Sequence, residues 1–191
     1  MRAVVLSVAH SSLARGAENA RLALTEYDVS LRATDAACGV LRQHSCPVVV
    51  LDAAHNPTTT YDDIKIAAVR AINPSLAVEI HCNSNTDKRA NYGEVIHRAG
   101  DPVALRAAVT VSDHLRDALG STKHLWPWRG ARIDERKLFF LQKTNCPSLI
   151  VEGLFISNDE QAEWLASPGG AEAYGALVGE GISLFLQREN L

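Results

Sequence analysis

The sequence lacks several features that mark whole classes of protein. None of its apolar runs approaches the roughly 20 residues that a helix needs to cross a bilayer, so no transmembrane segment is expected. The chain has no lysine- or arginine-rich stretch and carries a net charge of -3. Because phosphate binding needs a clustered positive field, this composition excludes a nucleic-acid-binding protein.

The chain also has no recognisable secretion signal. The opening Met1-Arg2 is followed by a short apolar run, but this run breaks at the polar residues 10–12, which read HSS. We therefore interpret it as the first strand of the fold and not as a signal peptide. The protein is expected to be made in the cytoplasm, and the sequence shows no route out.

Cysteine is scarce and its spacing is irregular. The four cysteines have neither the paired spacing of a structural zinc site nor the density of a disulfide framework, so we interpret them as buried free thiols. With 191 residues, 47% of them hydrophobic, the chain can bury a sizeable core without disulfides or partners. The cysteines are Cys38, Cys46, Cys82 and Cys146.

Strand and helix patterns alternate along the sequence. Short aliphatic runs are followed by segments whose apolar residues recur at helical spacing. This order predicts an α/β fold with a mostly parallel central sheet flanked by helices on both faces. Because no internal repeat or linker interrupts it, residues 1–191 are expected to form a single domain. The predicted strands are 3–9, 48–51, 76–80, 92–98 and 148–151, and the predicted helices are 26–43, 61–72, 102–120, 159–165 and 170–187.

Two polar connections show little periodicity. Residues 52–60 are expected to form a surface loop. Residues 121–137 contain Trp126 and Trp128. These tryptophans either border a binding groove or cover the edge of the core, and the sequence favours neither interpretation.

Four polar residues fall where open α/β folds bind their ligands. His10, His81 and Glu152 each end an apolar strand, and Glu26 follows Thr25, a predicted N-cap, in the first turn of a helix. The carboxyl ends of parallel strands share one edge of the sheet, so these side chains are expected to converge there. Two histidines and a carboxylate are a known ligand set for catalytic zinc, which leaves a fourth position to water.

Each of these residues also has a simpler interpretation when taken alone. A single histidine at a strand end is more often a hydrogen-bonded polar residue than a metal ligand, and Glu26 is equally a first-turn carboxylate favoured by the helix dipole. Glu152 is harder to explain in this way, because a carboxylate that ends a buried strand needs a partner or a function. Together the four residues are candidates for a Zn²⁺ site, with His10, Glu26 and His81 as ligands and Glu152 as the acid-base residue.

Two motifs carry a resemblance to a known family. Residues 146–158, which read CPSLIVEGLFISN, resemble the C-terminal signature of zinc-dependent N-acetylmuramoyl-L-alanine amidases, in which an apolar strand ends at the catalytic glutamate and runs into Phe-x-Ser-Asn. Residues 78–83, which read VEIHCN, are similar to the second histidine motif of that family, usually Ile-His-Ala-Asn. His10 and Glu26 hold the remaining two ligand positions in the family's order, so the resemblance covers nearly the whole chain.

The resemblance implies a zinc enzyme whose substrate is peptidoglycan or a muropeptide. The bond cleaved would join the lactyl group of N-acetylmuramic acid to L-alanine of the stem peptide, with Glu152 moving protons to and from zinc-activated water. Residues 7–17, which read SVAHSSLARGA, depart from the glycine-rich first motif of the family. This departure bears on substrate preference more than on zinc binding.

Neither a secretion signal nor a wall-binding repeat is recognisable in the sequence, although many bacterial members carry one or both. In this respect the chain resembles a phage or prophage lysin that acts on the cell wall after membrane permeabilisation, or an enzyme that acts on wall fragments inside the cell. Two rival functions stay open: a zinc peptidase or amidase on free peptides, and a non-catalytic wall-binding domain. The second would require the loss of one of the four site residues, and none is missing.

Overall fold

The structure, a computed structural model, describes residues 2–52, 61–121 and 129–191. Residues 53–60 and 122–128 lie outside the described residues. The surface loop expected at 52–60 and the groove expected around Trp126 and Trp128 therefore stay predictions.

The centre of the fold is a six-stranded sheet, and a separate two-stranded ribbon lies beside it. The strands are, in chain order, β1 (Val4–Val8), β2 (Glu18–Asn19), β3 (Leu24–Thr25), β4 (Val48–Leu51), β5 (Leu76–Asn83), β6 (Gly93–Arg98), β7 (Ala131–Arg136) and β8 (Ser148–Phe155). The order across the sheet is β4-β1-β5-β8-β6-β7, and β2 pairs with β3 to form the ribbon. Strands β4, β1, β5 and β8 are parallel, whereas β6 is antiparallel to β8 and parallel to β7. The prediction of a mostly parallel sheet is confirmed.

Helices cover both faces of this sheet, as predicted. They are α1 (Glu26–Gln43), α2 (Tyr61–Ile72), α3 (Pro102–Gly120), α4 (Phe139–Lys143), α5 (Asp159–Ala166) and α6 (Gly170–Glu189). Helices α1, α3 and α6 bury Val29, Val111 and Val178 against one face. Helices α2 and α4 bury Ile66 and Phe140 against the other. None of the described helices combines the length and the apolar character that a membrane crossing needs.

The starts of two helices follow from their capping residues. Thr25 accepts a hydrogen bond from the backbone N–H of Asp28, which satisfies one of the unpaired donors in the first turn of α1. Asp101 does the same for Val103 and Ala104 in α3. Both caps agree with the helix starts that the sequence predicts.

Three features of the sheet differ from the sequence-based prediction. Residues 131–136, inside the segment predicted to lack regular structure, form strand β7. Strands β5 and β8 continue to Asn83 and Phe155, so His81 and Glu152 lie within strands instead of ending them. The pairing of β5 with β8 becomes irregular between His81 and Asn83. Continued pairing beyond these two residues fixes their backbones more firmly than a loop would.

Candidate metal centre

His10 leaves the end of β1 in an unusual backbone conformation. Its φ of 62° lies in the left-handed region, which residues other than glycine rarely adopt. The turn that follows is closed by backbone hydrogen bonds between Ser11 and Ala14, at 3.1 and 3.2 Å. Just before His10, the backbone N–H of Ala9 donates to Ser30 Oγ on α1 at 2.7 Å. These contacts turn the His10 side chain away from the strand direction and toward the edge of the sheet.

Glu26 is the link between the two histidines. Its Oε2 lies 2.9 Å from His10 Nε2, and its Oε1 lies 2.9 Å from His81 Nδ1. The two oxygens also accept backbone N–H groups, from Ala17 at 3.1 Å and from Cys82 at 3.2 Å. The position of Glu26 as the first residue of α1 brings its carboxylate to the carboxyl edge of the parallel strands, as the sequence predicts.

The donor atoms of His10, Glu26 and His81 all lie within 4.8 Å of one another. Two imidazole nitrogens and one carboxylate oxygen make up the ligand set of several catalytic zinc sites. The chemistry of this donor set therefore fits a zinc ion. The predicted convergence of these three side chains is confirmed as geometry.

A second carboxylate orients the ring of His81. Glu79 Oε2 lies 3.1 Å from His81 Nε2, while Nδ1 faces Glu26. Glu79 is itself buried. It accepts a hydrogen bond from Ser7 Oγ at 2.9 Å and forms an ion pair with Lys65. Histidine ligands of metals usually donate their second ring N–H to such a carboxylate, which leaves the other nitrogen for the metal.

The acidic surroundings determine the charge of this cluster. Burial alone would lower the pKa of His81, but hydrogen bonds to Glu26 and Glu79 raise the pKa to about 10. Burial alone would raise the pKa of Glu26, but hydrogen bonds from His10 and His81 lower it to about 2. The carboxylates are therefore ionised at neutral pH, and the negative field that retains a proton on His81 also favours a bound cation.

Glu152 lies beside this cluster and differs from the other carboxylates. Its Oε1 is 3.9 Å from His81 Nδ1, and its buried Oε2 has no hydrogen-bond partner among the described residues. Burial raises the pKa of Glu152 to about 7, against the attraction of His81. A buried carboxyl oxygen without a hydrogen bond is costly, and a pKa near neutrality suits a group that must both accept and donate a proton.

Tyr174, on helix α6, ties together the strands that carry His81 and Glu152. Its hydroxyl group lies 3.0 Å from the carbonyl oxygen of His81 and 3.2 Å from that of Val151, and it accepts the N–H of Gly153 at 2.9 Å. The backbones of the two functional residues are thus held by one side-chain oxygen.

Gly16 makes room for the cluster. A Cβ atom at this position would lie 2.5 Å from the His10 ring and 2.7 Å from Glu26 Oε2, and the φ of Gly16 is +76°. Only glycine satisfies both the close approach and the left-handed backbone.

We expect Gly16→Ala to disturb the site through steric contact and not only through backbone strain. Its zinc affinity should fall by about tenfold or more, the range seen when partners around metal ligands are changed. Gly100→Ala is the matched control, because Gly100 has a φ of +70° with nothing within 4 Å of the added Cβ. Calorimetric zinc titration and thermal unfolding of both variants separate the effects. Equal zinc affinities in the two variants would contradict this role of Gly16.

A further histidine of the same sheet lies away from the cluster. His97 is buried and bonds through Nδ1 to the carbonyl oxygen of Arg98 at 3.0 Å, toward the far end of β6. Sequence reasoning missed Glu79 and Lys65. A charged residue inside the apolar run 76–80 was the available signal, because a buried carboxylate needs a partner.

The fold and the site define an α/β protein with a candidate zinc centre and a neighbouring carboxyl group at the carboxyl edge of its parallel strands. Comparison with known families gives one match, in which residues 4–183 fit the model of the N-acetylmuramoyl-L-alanine amidases. The chain belongs to the N-acetylmuramoyl-L-alanine amidase family. No curated protein sequence matches it.

Several solved structures share its fold. N-acetylmuramoyl-L-alanine amidase AmiC2 of Nostoc punctiforme is 24% identical, with a TM-score of 0.82 and 97% of each chain covered. The CwlD amidase from Clostridioides difficile, solved in complex with the GerS lipoprotein, is 15% identical, with a TM-score of 0.80 and 98% of each chain covered. The catalytic domain of the CD27L endolysin targeting Clostridia difficile is 21% identical, with a TM-score of 0.77, covering 95% of this chain and 97% of the other. At these identities the likeness shows a common fold.

Proposed function

We propose that this protein is a zinc-dependent amidase of peptidoglycan or muropeptides that hydrolyses the amide bond between N-acetylmuramic acid and L-alanine. His10, Glu26 and His81 hold the zinc ion, and Glu152 is the general base and acid. The observation that carries the proposal is the unpartnered, buried Glu152 carboxyl oxygen beside a His-Glu-His donor set. Membership of the amidase family supports the substrate class.

Each residue has a defined part in this reaction. When bound, zinc lowers the pKa of water toward about 7 and polarises the scissile carbonyl group. Glu152 accepts a proton from the attacking water as the water oxygen bonds to the carbonyl carbon. It then donates that proton to the amide nitrogen, so the C–N bond breaks as the carbonyl group re-forms and the alanine leaves as its neutral amine. Glu79 fixes the ring of His81 throughout.

The groove in front of the site has one apolar wall. Leu138 and Phe139 are exposed by 38% and 44%, and together with Ser11, Ala14 and the His81 side chain they line the same groove. Large exposed apolar side chains beside a polar centre are typical of a surface that binds a ligand. This wall suits the sugar ring or the lactyl methyl group on the muramic acid side of the scissile bond.

The rival functions make different demands on the same site. A non-catalytic wall-binding domain gives no reason to keep a buried carboxyl oxygen, Glu152 Oε2, without a hydrogen bond among the described residues, since such burial is unfavourable. A zinc peptidase acting on free peptides would need the same residues, so it is separated only by its substrate. Action as a phage or prophage lysin after membrane permeabilisation, with synthesis in the cytoplasm, stays a prediction. So does the single domain expected for residues 1–191.

The decisive experiment measures metal and product on one preparation of the wild-type protein. We expect one zinc ion per chain and the release of new N-terminal alanine from purified cell wall and from isolated muropeptides. Release of amino groups from free peptides but not from muropeptides would replace the amidase proposal with the peptidase function. Binding of cell wall with no new termini would replace it with the wall-binding function.

A further inference from the structure

A groove with an excess of positive charge lies on the side of the site away from His10. The loop after β5 and the residues before β7 form it, and it contains Arg129 and Arg132. Arg89 also lies there, but the carboxylate of Asp87 neutralises its charge through two hydrogen bonds, at 2.9 and 3.1 Å. Among the described residues, neither Arg129 nor Arg132 has a carboxylate within ion-pair distance. This local charge contrasts with the net charge of -3 for the whole chain.

The sheet aligns this groove with the catalytic residues. His81 is paired with Glu152, Glu152 with Glu94, and Glu94 with Arg132, so the four form one row across β5, β8, β6 and β7. Side chains of directly paired residues point to the same face of a sheet. At about 4.8 Å between neighbouring strands, the backbones of Glu152 and Arg132 are roughly 10 Å apart. An extended peptide covers that distance in about three residues.

Glu94, the cross-strand neighbour of Arg132, already has both carboxylate oxygens hydrogen-bonded. Glu94 Oε1 accepts a hydrogen bond from Arg136 at 2.9 Å, and its Oε2 accepts one from Asn83 at 3.0 Å. The guanidinium group of Arg132 lies instead over the ring of Tyr92, 4.0 Å from its centroid. Stacking by one face leaves the planar N–H edge of arginine available for a carboxylate.

The platform beneath Arg132 is anchored to the core. The ring of Tyr92 packs edge-on against Phe155, with 4.8 Å between centroids, and Phe155 is fully buried. The backbone N–H of Arg129 donates to the carbonyl oxygen of Asn91 at 3.0 Å, which brings Arg129 to the same groove. The side chain of Arg132 and the backbone of Arg129 are therefore placed before any ligand binds, which lowers the entropy cost of binding.

We propose that Arg132, stacked on Tyr92, and Arg129 form a subsite for a carboxylate of the stem peptide. This inference rests on the proposed amidase function and extends it to the peptide side of the scissile bond. It accounts for the guanidinium group of Arg132, at the end of a row that begins at the catalytic residues, and for that of Arg129 in the same groove. Neither group has a carboxylate partner among the described residues. The subsite makes the protein selective for stem peptides with free carboxylates over their carboxamide forms.

The test uses two muramoyl-L-alanyl peptides that differ only in whether their carboxyl groups are free or converted to carboxamides. For Arg132→Gln we expect KM to rise about tenfold on the free-acid substrate, as for a lost charge-assisted hydrogen bond, with kcat little changed. On the carboxamide substrate KM should stay the same. Tyr92→Phe, which keeps the stacked ring, should behave as wild type, whereas Tyr92→Leu should resemble Arg132→Gln.

Arg116→Gln is the matched control. Arg116 lies on α3, packed on the other face of the same sheet edge, and is paired with Asp113 at 2.7 Å. The substitution removes the same charge from a side chain that does not line the groove, so its KM should match wild type on both substrates. Equal KM changes on both substrates for Arg132→Gln, or none on either, would overturn the subsite.

Binding of the product peptide separates this inference from the amidase function. Calorimetric titration with a free L-alanyl stem peptide needs no turnover. Affinity that falls for Arg132→Gln supports the subsite even in a protein that releases no alanine. Affinity unchanged by the variant, in a protein that does release alanine, rejects the subsite and leaves the amidase proposal standing.

Discussion

Replacing Glu152 with glutamine is expected to lower kcat by about 10³-fold, within the range that general acid-base groups contribute. Glutamine keeps the size of the side chain but neither accepts the proton of the attacking water nor returns it to the departing amine. Glu152 is not one of the three proposed ligands, so the Glu152→Gln variant should still bind one zinc ion per chain. Metal content and the rate of alanine release, measured on the same preparation, give both results.

Glu94→Gln is a close comparison for this experiment. Glu94 is paired with Glu152 across neighbouring strands, and both of its oxygens are held by Asn83 and Arg136. Because both carboxylate oxygens of Glu94 are hydrogen-bonded within the protein, we expect Glu94 to have a structural role. The Glu94→Gln variant should therefore lose less than about tenfold in kcat, below the range of acid-base groups. Wild-type turnover by Glu152→Gln would exclude its acid-base role, and loss of zinc from that variant would make Glu152 a ligand instead.

Replacing His81 with alanine is expected to remove both the metal and the activity. The variant loses one of three protein donors and leaves Glu79 without its imidazole partner, so zinc affinity should fall by more than the 10–100-fold typical of outer partners. Its folding should also become insensitive to zinc, because a ligand stabilises only the folded state that binds it. Zinc affinity by chelator competition and thermal unfolding with and without metal measure the two effects.

His97→Ala is the control for this change. His97 is also a buried histidine on a strand of the same sheet, but its ring bonds to a backbone carbonyl away from the cluster. The His97→Ala variant should be less stable than wild type and yet keep its zinc. Full zinc affinity in His81→Ala would exclude His81 as a ligand, and equal losses in both variants would point to general unfolding.

The convergence of the candidate site residues could be predicted from the sequence because each lies beside a recognisable aliphatic run or helix cap. His10 and His81 follow or interrupt aliphatic runs, and Glu26 follows the cap of α1; such local patterns do not depend on distant contacts. The parallel arrangement then brings them to one edge. The prediction of the helix bounds 26–43 is confirmed in full.

The partners of the site could not be predicted in the same way. The charges of Glu79 and Lys65 neutralise each other, although the two residues are 14 positions apart in the chain. The local sequence around either residue does not show that the other is near. Strand β7 reads ARIDER, with four charged residues out of six on an edge strand, so its apolar periodicity is too weak to detect. The direction of β6 is likewise fixed by pairing across the sheet, which a single sequence does not encode locally.

Through the hydroxyl group of Tyr174, helix α6 positions the strands of the candidate site, although the helix contributes none of the proposed ligands. Gly175, the next residue, lies so close to α1 that a Cβ atom there would meet the carbonyl oxygen of Ala33. Helix α1 carries Glu26, and α6 fixes the strands of His81 and Glu152. The alignment of three site residues thus depends on one helix-to-helix contact. The turn after His10 borders the apolar groove and the loop after β5 borders the groove of Arg132, and neither takes part in this contact. Substitutions in the loops are therefore expected to change substrate preference, whereas substitutions where α1 packs on α6 are expected to change the alignment of the catalytic residues.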